Sequence, residues 1–243
     1  MLGLGASIPK IDVIADTVIP SNRSLSLDGA GDMATFTATA FPISDTGDNL
    51  SIAFWAKRTD NNDAAWVFGN TTTSSMKRIN FGANGDTLEL EGDQNGQTVS
   101  GAVTADTNWN FYAITMEGNS SGNVATTIIY ENGVAVSSTN TNFGASSVPI
   151  TINSIGASGG SGSNTNEFKG LLYNVGIWNT ILDLNAVEHL TAYPSTALTS
   201  NAGGYKYSTN LIHYWRFEDV NDTVGDLELT LVADASFSST IPS

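Results

Sequence analysis

The chain has no cysteine, two histidines and nine basic residues among 243, set against 24 acids. Without thiols there is no disulfide framework, no thiolate metal centre and no cysteine nucleophile. The length does not demand such staples, because a domain of this size buries roughly 70–75% of its unfolded surface. The lack of cysteine fits assembly in a cytosol better than a disulfide-dense secreted module. His189 and His213 are the only histidines, and neither sits in a serine and acid pattern that reads as a catalytic triad. The scarcity of Lys and Arg gives a formal net charge of −15, which repels phosphate backbones and anionic headgroups. Nucleic acid and membrane are therefore not expected partners. No apolar run approaches membrane-spanning length, and the first residues, Met1 to Lys10, lack the basic start and apolar core of a signal peptide.

Helical periodicity is nearly absent too. Short apolar segments instead recur between clusters of Gly, Asn, Asp, Ser and Thr, the rhythm of an antiparallel sandwich. Leu50 to Lys57 alternates Leu50, Ile52, Phe54 and Ala56 against Ser51, Ala53, Trp55 and Lys57. Trp66 to Phe68, Arg78 to Phe81, Thr87 to Glu91, Trp109 to Met116 and Thr126 to Tyr130 continue the series, and a final strand, Leu211 to Phe217, and a tail around Leu227 to Val232 close the domain. Asn132-Gly133 between two such runs predicts a two-residue turn with both residues at positive φ. Leu171 to Trp178 reads as a buried strand with Leu171, Tyr173, Val175 and Ile177 on one face. The period then changes: Asp183 caps a short helix near 182–193 that Pro194 stops. Residues 1–22 read as an extended arm that packs on its own domain or on a neighbour, and 23–243 as one domain.

Leu27-Asp28-Gly29 with Asp32, Leu50 to Lys57, Trp109 to Thr115, Tyr130 to Gly133, Ile155-Gly156 and Phe168-Lys169-Gly170 leading to Trp178-Asn179 together resemble the laminin G-like and pentraxin branch of concanavalin A-like jelly rolls. The likeness spans about residues 24–217. It implies an all-β sandwich of two curved antiparallel sheets, with binding at loops or on the concave face, and no single activity. His213 to Glu218 resembles a strand that such domains often place first, here moved to the end as a rearranged edge. The start of the chain, the missing cysteine and the acidity are also similar to structural proteins of tailed phages.

Asp60-Asn61-Asn62-Asp63 resembles half of a pentraxin calcium site, so Asp60 and Asp63 are the metal candidates and Ca2+ the candidate cofactor. The complementary acids of that family are missing after Gly156, where the only acid is Glu167. The alternative is a solvated turn of Asx caps. Asp28 and Asp32 offer further oxygens or simply make a turn. Trp66, Asp60, Asn61, Asn164 and Asn166 are the candidate glycan contacts, with Trp66 the expected exposed stacking platform and the other tryptophans assigned to core. Glu89, Glu91 and Asp93 could suggest the paired carboxylates of a glycosidase, and Glu89 and Glu91 share a strand face, but the hydrolase pattern of related folds is not met.

The resulting expectation is a non-enzymatic virion surface protein, a capsid decoration or fibre-type component, made in the host cytoplasm. It would be a homo-oligomer or dock to other capsid subunits, and contact glycans. The alternative is a free, calcium-assisted lectin, secreted or extracellular, and a third reading is a glycoside hydrolase.

Overall fold

The computed structural model describes residues 20–41, 47–60, 64–70, 78–91, 98–118, 124–139, 150–157 and 166–243. In chain order the strands are β1 (Ser24–Asp28), β2 (Met33–Phe41), β3 (Asn49–Arg58), β4 (Ala65–Gly69), β5 (Arg78–Phe81), β6 (Thr87–Glu91), β7 (Thr98–Ala102), β8 (Trp109–Gly118), β9 (Val124–Glu131), β10 (Val134–Thr139), β11 (Ile150–Ile155) and β12 (Lys169–Trp178). The helix α1 (Leu184–Ala192) follows, then β13 (Leu211–Trp215), β14 (Thr230–Val232) and β15 (Ser236–Ser238). Among the described residues they form two antiparallel sheets. One runs β10-β9-β8-β3-β12-β1-β15, with β13 also paired to β12, and the other runs β14-β2-β11-β4-β5-β6-β7.

The alternation in β3 explains the layering. Leu50, Ile52, Phe54 and Ala56 point into the main core between the sheets, where they meet Phe68, Phe81, Tyr112, Ile155 and Trp215. Ala53 and Trp55 point the other way, into a second apolar layer with Phe111, Tyr173 and Trp178. Val187, Leu190, Leu198 and Tyr205 cover that layer from α1 and the segment after it. The larger sheet is therefore buried on both faces at its centre. Asp183 caps α1 by accepting from the Ala186 N–H at 2.8 Å. No helix among the described residues is long and apolar enough to cross a membrane.

The predicted single apolar face of β12 does not run its whole length. The register against β3 shifts between Tyr173 and Gly176, and Asn174 takes φ +49. This bulge puts Leu172, Val175 and Ile177 in the inter-sheet core while Tyr173 and Trp178 face the outer layer. Asn174 is fixed by donating to Pro194 O at 2.8 Å and accepting from the Tyr214 hydroxyl at 2.7 Å.

β13 pairs with β12 through Val175 to Trp178, beyond the stretch that pairs with β1, and Trp215 and Phe217 lie in the common core. It is part of the same domain. Of the expected arm, residues 1–19 lie outside the described residues. Its end packs on its own domain: Ser21 O accepts from the Tyr173 hydroxyl at 2.8 Å, and Pro20 O accepts from the Arg216 guanidinium at 3.0 Å.

Candidate functional site

The outer face of the larger sheet carries an open groove beside the covered apolar layer. Strands β3 and β8 pair with Trp55 opposite Phe111 and Lys57 opposite Trp109. Their alternation puts Trp55, Lys57, Trp109 and Phe111 on this one face. Trp109 is half-buried, its ring edge-on to Tyr173 at 6.3 Å between centroids. Trp55, Lys57, Asn108, Trp109, Asn132, Pro242 and Ser243 line a cavity of about 450 Å³.

Two of the polar residues here are held rigidly. Asn132, at φ +48 in the hairpin turn, accepts from the Phe111 N–H at 2.9 Å and donates to Asn110 Oδ1 at 2.7 Å. Asn108 donates to Asp106 through its backbone N–H at 3.0 Å and its side-chain amide at 2.8 Å, and lines the groove. Burial opposes ionisation of Asp106, but the side-chain and backbone N–H groups of Asn108 and the amide of Asn110 outweigh it and hold the carboxyl below its ordinary range. Lys57 has no ion pair among the described residues.

The expected sugar contacts fall elsewhere. Trp66 is not an exposed platform. It is 6% exposed, and the Arg78 guanidinium lies over its ring at 4.9 Å from the centroid. Glu91 holds that guanidinium in an ion pair, so the indole is roofed. Asn166 lies beside it, its carbonyl accepting the Trp66 N–H at 2.8 Å. Asn61, Asp63 and Asn164 lie outside the described residues.

Asp60 is exposed and lines a cavity of about 330 Å³ with Asp28, Gly29, Ala30, Ala64, Ala65, Glu167 and Lys169. This brings together three acids far apart in sequence. Glu167 accepts from the Gly31 N–H at 2.5 Å through one oxygen, while the other is buried without a hydrogen-bond partner. Even so, no group of three or more acids and histidines among the described residues could hold a metal ion, and the Lys169 ammonium shares the cavity. By themselves these residues do not fit a calcium shell of six to eight oxygens. Asp32 is committed to structure: its two oxygens accept the N–H groups of Asp28 and Asp234 at 2.9 and 2.8 Å. Asp28 makes the turn, accepting from Ala30 N–H at 2.8 Å.

Glu89 and Glu91 do share the outer face of β6, and each is tied down. Glu89 accepts from Asn80 at 3.0 Å and Thr87 at 3.1 Å, while Glu91 pairs with Arg78. Burial pushes the Glu91 carboxyl up, against the pull of Arg78. His213 has an acid partner that the sequence reading missed: its Nδ1 lies 2.6 Å from Asp222 Oδ2, with the ring stacked on Trp215. No serine among the described residues joins the pair, which bolts β13 to the following turn.

A family model described as the concanavalin A-like lectin/glucanases superfamily, Laminin_G_3, matches residues 28–188. The chain belongs to this family. Among solved structures it is similar to a candidate carbohydrate binding protein of Bacteroides ovatus, at 13% identity and TM-score 0.63, covering 93% of this chain and 61% of that one. The chain thus spans less than two thirds of that protein. It is also similar to the heptameric SAP-like pentraxin of Limulus polyphemus, at 12% identity and TM-score 0.56, covering 87% of this chain and 95% of that one. A third likeness is to the CBM40 of the Ruminococcus gnavus IT-sialidase bound to alpha2,3 sialyllactose, at 14% identity and TM-score 0.50, covering 72% and 98%. At these identities the likeness is one of fold. No curated protein matches the chain.

Proposed function

We propose that this chain is a non-catalytic carbohydrate-binding module and that the Trp109 groove is its sugar site. The observation that carries this reading is a half-buried indole that lines an open cavity of ligand size on a sheet face, flanked by Lys57, Asn108 and Asn132. An aromatic face covers the C–H side of a pyranose, and the amides and ammonium serve its hydroxyls. The names of the Bacteroides ovatus and Ruminococcus gnavus relatives, both concerned with carbohydrate binding, support the same reading. The setting we propose for such a module is a virion surface, with capsid subunits or further copies of itself as partners. Mass spectrometry of purified particles checks that setting, and its absence from them refutes it.

The test of the sugar site is Trp109→Ala on a glycan microarray followed by titration calorimetry. Loss of a central aromatic anchor is expected to cost about 2 kcal/mol, roughly a 30-fold weaker Kd. Trp109→Phe should keep most of the affinity and the melting temperature. Saturable binding that survives Trp109→Ala unchanged refutes the site, and no binding to any glycan refutes the function.

A further inference from the structure

A second cavity adjoins the Trp109 groove. Lys57, Arg58, Thr59, Thr107, Asn108 and Leu171 line about 410 Å³, and Lys57 and Asn108 belong to both cavities. The reason lies in the register. Lys57 stands opposite Trp109 on β8 and opposite Leu171 on β12, so it forms a saddle with one hollow on each side. From Trp55 to Thr59 the chain advances four residues, about 13 Å at roughly 3.3 Å per step, the length of about two to three linked hexoses.

The charged groups next to Lys57 in this part of the fold are already engaged. They are Arg58, which is positive, and Asp106 and Glu131, which are negative. Arg58 is buried and donates to Gly85 O at 2.6 Å and Thr104 O at 2.9 Å. Glu131 accepts from the Thr104 N–H at 2.9 Å, and Asp106 is held by the Asn108 and Asn110 amides. Of these four, the Lys57 ammonium alone has no ion pair among the described residues and keeps its donors, at the junction where two neighbouring sugars would meet. A net charge of −15 repels polyanionic chains from the whole surface. The hydroxyls of Thr59 and Thr107 line the far hollow.

Resting on the carbohydrate-binding reading above, we propose that the two hollows are consecutive subsites for an internal stretch of an unbranched, uncharged glycan, with Lys57 donating to oxygens of the two sugars that flank it. Both hollows lie open, so the chain passes through and neither of its ends is recognised.

The experiment is calorimetry with neutral glucose-, mannose- and xylose-based oligosaccharides of one to five residues, chosen by array, on the wild type and on Thr107→Trp and Lys57→Met. Affinity is expected to rise at least tenfold from one sugar to three and then level off. Thr107→Trp fills the far hollow from an exposed loop and should erase that gain while leaving single-sugar binding intact. Lys57→Met should weaken the trisaccharide about tenfold and barely affect the melting temperature. Binding to neutral chains should change less than twofold between low and physiological salt. Affinity that does not depend on length, or a preference for uronate or sulfated chains that salt abolishes, overturns the inference. If Trp109→Ala still abolishes binding in those cases, the sugar site itself stands. If no chain binds at all, both readings fall.

Discussion

Asp222→Ala is the sharpest test of how β13 is held. β13 is short and pairs with β12 on one side; on the other, Asp222 stands in for a neighbouring strand. Its Oδ1 accepts the Tyr214 N–H at 2.8 Å and the Gly225 N–H at 2.9 Å, and its Oδ2 meets His213 Nδ1 at 2.6 Å. The carboxylate is 1% exposed and His213 8% exposed, so water does not replace it for the inner two partners. Two buried donors left without acceptors cost about 1–3 kcal/mol each, which gives about 2–6 kcal/mol in all; the Gly225 N–H, at the surface, adds little. Asp222→Asn keeps an acceptor for Tyr214 and should lose about half as much. Urea unfolding followed by the fluorescence of Trp215, whose ring stacks on His213 at 5.9 Å, measures both. The pH dependence has a definite sign. Burial opposes ionisation of Asp222, but the bonds from His213 and from the Tyr214, Gly225 and Val224 N–H groups outweigh it and hold the carboxyl below its ordinary value. A depressed carboxyl contributes its stability above its unfolded pKa of about 3.9 and loses it as pH falls through the folded value. The gap between wild type and Asp222→Ala should therefore be full at neutral pH and close in acid. A loss under about 1 kcal/mol at neutral pH, or a gap unchanged down to about pH 3, refutes the account.

Two further outcomes are expected besides those for Trp109, Lys57 and Thr107. Gly170 takes φ +148, and a Cβ there would lie 2.1 Å from Lys57 O, so Gly170→Ala should cost about 2–4 kcal/mol and lower the melting temperature by about 5–10 °C in calorimetry. Chelation with EGTA should leave glycan affinity unchanged within error, because no Asp or Glu side chain is among the described residues that line the Trp109 cavity; a calcium requirement would move the sugar site to the cavity of Asp28, Asp60 and Glu167.

The local parts of the fold were legible because their causes are local. Asn132 and Gly133 take φ +48 and +85, as a two-residue hairpin turn demands, and α1 begins at its Asp183 cap. The strands over Arg78–Phe81 and Thr87–Glu91 fall where the sequence put them. β7 went unread because Thr98 to Ala102 offers only one large apolar side chain, Val99, too little for a visible period. In β12 the alternation was clear but the bulge at Asn174 was not. Nothing local announces it, since its partners, Pro194 O and the Tyr214 hydroxyl, come from 20 and 40 residues away.

The exchange of Trp66 for Trp109 as the open platform has a similar origin. Both indoles lie on outer sheet faces, and both have a cation across the strand gap. Over Trp66 the cation is Arg78, planar enough to stack, and Glu91 on the next strand locks it there. Beside Trp109 the cation is Lys57, and no acid among the described residues pairs with it; Asp106 is already taken by two amides. Which tryptophan is roofed thus depends on whether a carboxylate occupies one cross-strand position. That position follows from the pairing of strands about 50 residues apart in one case and of neighbouring strands in the other. A polar loop next to a tryptophan, the signal that favoured Trp66, says nothing about this. The informative pattern is a tryptophan and a lysine in register with no acid beside them, and it becomes readable only once β3 is placed against β8.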